Sequence, residues 1–63
     1  MDVHLEREDR IIQSNAKTVK ELLKELNLNP TIVLVSKNDE LIIEETKLND
    51  KDIIKIFPVI SGG

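Results

Sequence analysis

One stretch of this chain carries the marks of a helix with both ends specified, and almost everything around it alternates like strand. In "TVKELLKELNLNP", Val19, Leu22, Leu23 and Leu26 fall at i, i+3, i+4 and i+7, one apolar stripe on a helical surface. Thr18 followed three residues later by Glu21 is a capping box, in which each side chain satisfies a backbone N–H at the open end of the helix. Asn27 suits the left-handed conformation that ends a helix, and Pro30 disfavours helical geometry at Asn29 and donates no backbone hydrogen bond. Lys20, Glu21, Lys24 and Glu25 lie off the stripe and form a solvated face. A short helix with one apolar stripe must bury it against another layer, so the rest of the chain has to supply that layer.

The flanking segments do so with a period of two. Met1, Val3 and Leu5 alternate with Asp2, His4 and Glu6 in a first strand, "EREDR" is too charged to be buried and makes a turn, and Ile11 and Ile12 open a second strand that pairs back as a hairpin. After the helix, "TIVLVSK" and "ELIIEET" flank Asn38-Asp39, a dipeptide suited to a tight hairpin turn. "KLNDKD" is a polar loop in which Leu48 is a core plug. "DIIKIFPVI" is a last strand, with Pro58 near its end where a missing ladder donor is tolerated.

The order strand, strand, helix, strand, strand, strand leaves one helix to cover one face of a sheet. Yet apolar residues occupy both parities of the third and last strands: Ile32 and Leu34 oppose Val33 and Val35, and Ile54 and Ile56 oppose Ile53, Phe57 and Val59. Some of these side chains must stay uncovered or be covered by another molecule, and a contiguous exposed patch marks a partner surface.

Composition narrows the function. A chain of 63 residues is one thin-cored domain, and with no cysteine and a single histidine it lacks both disulfide and transition-metal staples. Twelve acids against nine bases give a net charge of -3, which argues against nucleic-acid binding, where phosphate neutralisation needs clustered Lys and Arg. No apolar run approaches the roughly 20 residues that span a bilayer, and the acidic start "MDVHLERED" is unlike a signal peptide, so no membrane association and a cytoplasmic location are expected. His4 stands alone at a surface strand position, and the acidic pairs Glu44–Glu45 and Asp50–Asp52 have no His or Cys partners and match no calcium loop. Nothing pairs a nucleophile with a base, so the chain is not expected to be an enzyme.

The chain's two glycines are its last two residues, Gly62 and Gly63. At an average usage of about 7%, a given pair of positions is Gly-Gly in roughly 0.5% of chains. Without Cβ atoms such an end is narrow enough to thread a tunnel, and it delivers an ionised carboxylate. A carboxylate is a poor electrophile and requires activation, which adenylation by a separate ATP-using enzyme would supply.

From "TVKELLKELNLNP" through "TIVLVSKNDELI" to "LNDKDIIKIFPVISGG", the chain resembles, in order and spacing, the ubiquitin-like sulfur carriers of the MoaD/ThiS family and the small archaeal modifier proteins related to them. One departure is "KND" at the hairpin turn where many members have Asn-Gly. The resemblance implies an α+β fold of the β-grasp type, a mixed sheet of four to five strands packed on one helix, with the first and last strands parallel neighbours at its centre. It implies a single domain over residues 1–60 with a flexible diglycine tail over 61–63. Gly63 would then be the point of covalent activation and sulfur attachment, with Gly62 and Ser61 threading the partner's tunnel and Phe57, Pro58, Val59 and Ile60 contacting partners. No cofactor is bound in this picture; ATP is used by an activating enzyme similar to the ubiquitin-activating enzymes, a sulfur donor supplies the thiocarboxylate sulfur, and an acceptor synthase in molybdopterin or thiamin synthesis, or a tRNA-thiolating enzyme, receives it. The alternative is a ubiquitin-like modifier joined through Gly63 to lysines of target proteins, because the same adenylate serves both routes.

Overall fold

In a computed structural model, residues 1–59 are described. The chain forms strands β1 (Asp2–Leu5) and β2 (Arg10–Gln13), helix α1 (Val19–Glu25), a 3₁₀ turn (Pro30–Ile32), and strands β3 (Val33–Lys37), β4 (Glu40–Ile42) and β5 (Ile53–Pro58). The strands make one five-stranded sheet in the order β2-β1-β5-β3-β4. β1 and β5 pair in parallel, with Val3 opposite Ile54 and Leu5 opposite Ile56, and every other pairing is antiparallel. This mixed sheet on one helix is the β-grasp architecture, with the first and last strands adjacent as the resemblance implies.

The helix starts and stops where its sequence signals stand. Thr18 Oγ1 accepts the Glu21 N–H at 3.2 Å, while the Glu21 carboxylate reaches one residue further back and accepts the Lys17 N–H at 2.9 Å. The next open donors are taken by the loop before β5: Val19 N–H donates to the Thr46 carbonyl and Lys20 N–H to that of Glu44. At the other end Asn27 has φ 58°, and the Leu28 and Asn27 N–H groups bond back to Leu23 and Lys24 carbonyls, closing a Schellman motif.

Val19, Leu22 and Leu23 from the helix meet Val3, Val35, Ile54 and Ile56 from the three central strands, and Leu48 seals the core from the loop as expected. The strand parity follows suit. Ile54 and Ile56 are buried, whereas their neighbour Ile53 is 48% exposed on the opposite face together with Leu34, also at 48%.

Three local features differ from the sequence reading. Thr31 and Ile32 belong to the 3₁₀ turn, so β3 begins two residues later than expected, at Val33: Asn29 caps that turn by accepting the Thr31 N–H at 2.9 Å, and Pro30 supplies its fixed φ. β4 stops at Ile42, because the Ile43 carbonyl turns to accept the Thr46 N–H and the chain leaves the sheet toward the helix. Val59 falls just past β5, whose last paired residue is Pro58 opposite Val33. The Asn38-Asp39 turn forms without glycine. Both residues have positive φ, 51° and 71°, as a two-residue hairpin of the primed type requires, and Lys37 faces Glu40 across it.

Candidate functional site: the end of β5 and the open face of the sheet

Between its two ladders β5 is held on both sides, and its final residues are held at the point where the chain leaves the sheet. Phe57 lies opposite Leu34, Pro58 opposite Val33, and the Val59 N–H donates to the Ile32 carbonyl at 2.8 Å. Pro58 lacks a donor, so the strand ends there with no ladder bond lost from its interior. Phe57 is half-buried, while Pro58 and Val59 are exposed. Ile60, Ser61, Gly62 and Gly63, to which the sequence reading assigned the last partner contact, the threading and the covalent chemistry, lie outside the described residues.

Beside this root the sheet presents the face that α1 does not cover. Phe57 and Leu34 form a cross-strand pair there, with Ile53 four residues back along β5 and Ile11 on β2 and Leu41 on β4 at the flanks. Sequence parity anticipated an uncovered apolar face, but not its composition, since only the β3–β5 register shows that Leu34 stands against Phe57. On the helix side of the same root, a groove of about 310 Å³ runs between Leu5, Leu26, Leu28, Ile32 and Pro58, with Arg7, Glu8 and Arg10 at its rim.

The other end of β5 is fixed by polar contacts that alternation does not reveal. Asp52 Oδ2 accepts the Asn49 N–H at 2.8 Å, Asp52 Oδ1 accepts from Asn38 Nδ2 at 3.3 Å, and Lys37 Nζ stands 3.8 Å away. These partners, the Asn49 N–H foremost, hold the Asp52 carboxyl below its ordinary pKa, with burial acting the other way. Asn38 also bonds Ile53 twice, accepting its N–H at Oδ1 (3.0 Å) and donating its own N–H to the Ile53 carbonyl (2.9 Å). The acidic residue that looked like plain loop polarity therefore ties the 49–52 turn and the β3–β4 hairpin to the start of β5. His4, the Glu44–Glu45 pair and Asp50 show no comparable arrangement, and among the described residues no group of three or more His, Cys, Asp or Glu is placed to hold a metal ion. No helix among the described residues is long and apolar enough to cross a membrane.

The family model for the ThiS family matches residues 3–63 of this chain. The chain belongs to the ThiS family. The ThiS-family match takes in the helix and all of the sheet except Asp2, and continues to residue 63. A curated relative, the sulfur carrier protein TtuB of Thermus thermophilus, is 33% identical over 58 residues, covering 92% of this chain and 88% of that protein.

Proposed function

We propose that this protein is a sulfur carrier, a co-substrate and not a catalyst, whose working group is the carboxylate of Gly63. The observation that carries the reading is that the ThiS-family match extends through residue 63. Similarity to a protein named as a sulfur carrier supports it.

The chemistry follows from the functional group. The Gly63 carboxylate attacks the α-phosphorus of ATP in a partner enzyme, pyrophosphate leaves, and the product is a mixed anhydride with AMP. Hydrosulfide released by the donor then attacks the carbonyl carbon, AMP leaves and the S–H proton passes to solvent, so that sulfur replaces one oxygen and the carrier ends as a thiocarboxylate for an acceptor enzyme. No side chain of this protein needs to move a proton or form a bond in either step.

The fold contributes position. The Val59 N–H is bonded to the body, and the four residues after it have a maximum reach of about 14 Å at 3.3–3.6 Å each. An activating pocket must therefore come within that distance of the β5 root. Its walls then touch Phe57, Pro58 and Val59, and the adjacent Leu34–Phe57 pair gives them apolar area to bury. Ile60 is the next contact, and Ser61 and Gly62 carry the narrow approach.

The test is the intact mass of the protein isolated from its own cell under sulfur-replete growth. A fraction heavier by the exchange of one oxygen for sulfur, and absent after deletion of Gly63, is the expected result. Its complete absence, together with recovery of "IFPVISGG" branches on lysines of other proteins after trypsin, would overturn the carrier reading in favour of a conjugated modifier.

A further inference from the structure

We propose that the free edge of β4 is a strand-addition site for an extended, lysine- or arginine-bearing segment of a partner protein. The site uses none of residues 57–63, so its failure leaves the carrier reading untouched.

The backbone comes first. β4 is the last strand of the sheet on its side, paired only with β3. Lys37 and Glu40 close a two-residue hairpin, which makes theirs a hydrogen-bonded pair and the next pair, Ser36 with Leu41, a non-bonded one. The Leu41 N–H and C=O consequently point away from β3, and among the described residues no other element bonds to them. An unpaired donor and acceptor on an edge strand are a template for another strand.

Side chains give the template its selectivity. Leu41 and Ile43 are each 66% exposed, and a groove of about 470 Å³ lies beside them against Leu23, Pro30, Val33 and Ile42. An added strand can therefore bury apolar side chains where β4 leaves them uncovered. The charge is of one sign. Glu40, Glu44 and Glu45 are all exposed within six residues, and among the described residues none of them is in an ion pair. Of the cations close by, Lys37 is engaged with Asp52 and Lys55 with Asp39, while Lys20 and Lys47 are exposed and in no ion pair among the described residues, so the acidic excess is local to residues 40–45.

This charge decides the occupant. A second copy pairing through the same edge would bring acid against acid, which like-charge repulsion disfavours. A basic strand gains where the copy loses, its cations meeting the glutamates and its apolar residues covering Leu41 and Ile43. Because β3 stands between β4 and β5, such a partner pairs with a strand other than the one that leads to the diglycine.

The test is an amide-resolved NMR titration of the full chain with a capped peptide of about six residues, a common strand length, alternating lysine and valine. Controls are the same peptide with glutamate for lysine, and one N-methylated at the amides that would pair. The expected result is shifts centred on residues 40–45, slowed hydrogen exchange at the Leu41 N–H, weakening by salt, and loss of binding with either control peptide. Glu40→Lys with Glu44→Lys and Glu45→Lys should abolish binding of the lysine peptide while leaving the far-ultraviolet circular dichroism unchanged. Shifts centred on β2 or on the Phe57 face, equal binding of the N-methylated peptide, no binding at all, or a peptide-free dimer with Leu41 protected would each overturn the assignment.

Discussion

Ile53 and Ile54 are the same residue type, adjacent in β5, and the sheet sends them to opposite faces, one 48% exposed and the other fully buried. Truncating each to Ala removes the same three carbons. At Ile54 the lost transfer energy is about 2.4 kcal/mol at about 0.8 kcal/mol per carbon, and the cavity left beneath α1 raises the cost to about 3–4 kcal/mol. At Ile53 half the side chain is already in water, so the transfer loss falls to about 1.2 kcal/mol with no enclosed cavity, plus a few tenths for strand preference. The expected gap is about 2 kcal/mol, equivalent to about 8–16 °C in Tm for a domain of this size. The chain has no Trp or Tyr, so urea unfolding is followed by far-ultraviolet circular dichroism. Total stability for a chain this short is about 3–9 kcal/mol, and Ile54→Val, costing about 1 kcal/mol, preserves the comparison if Ile54→Ala does not fold. Equal losses at the two positions, with unchanged m-values, would refute the division of the sheet into a covered and an open face.

Thr18→Ala removes the side chain that accepts the Glu21 N–H and should cost about 1 kcal/mol, readable as a lower urea midpoint, with Thr18→Ser recovering most of it. Asp39→Gly places a residue without Cβ at φ 71° and should stabilise by up to about 1 kcal/mol, less whatever the Lys55–Asp39 pair contributes, as measured by thermal melting. Because the folded-state pKa of Asp52 is depressed, its contribution is fully present above the unfolded value near about 3.9 and is lost as pH falls through the folded value. Stability should therefore drop in acid more steeply for the parent chain than for Asp52→Asn, and parallel acid profiles for the two would contradict the network around that carboxylate.

The helix was legible because its signals are local: Thr18 and Asn27 act within a few residues of themselves, and the 3.6-residue stripe needs no partner to be seen. The division of β5 into two apolar parities was equally readable, since alternation is a property of a single strand, but which parity α1 covers was not, because both are apolar. What escaped depends on chain segments far apart. Ile32 is as apolar as a strand residue, and only the Asn29 side chain closing on Thr31 turns that segment into a 3₁₀ turn. Asp52 could not be told from its neighbour Asp50 without knowing that Asn38 folds back against it. The Leu34–Phe57 pair beside the β5 root likewise requires the register between two strands separated by the hairpin and a loop. The family match covers the diglycine, whose chemistry remains part of the proposed function.

Because β5 is flanked by β1 on one side and β3 on the other, traction applied to the chain beyond Val59 acts along the strand axis and loads both ladders together. Shearing two rows of hydrogen bonds at once is harder than peeling one from its end, so a partner that draws the terminus into a deep channel can tug on this protein without unravelling it.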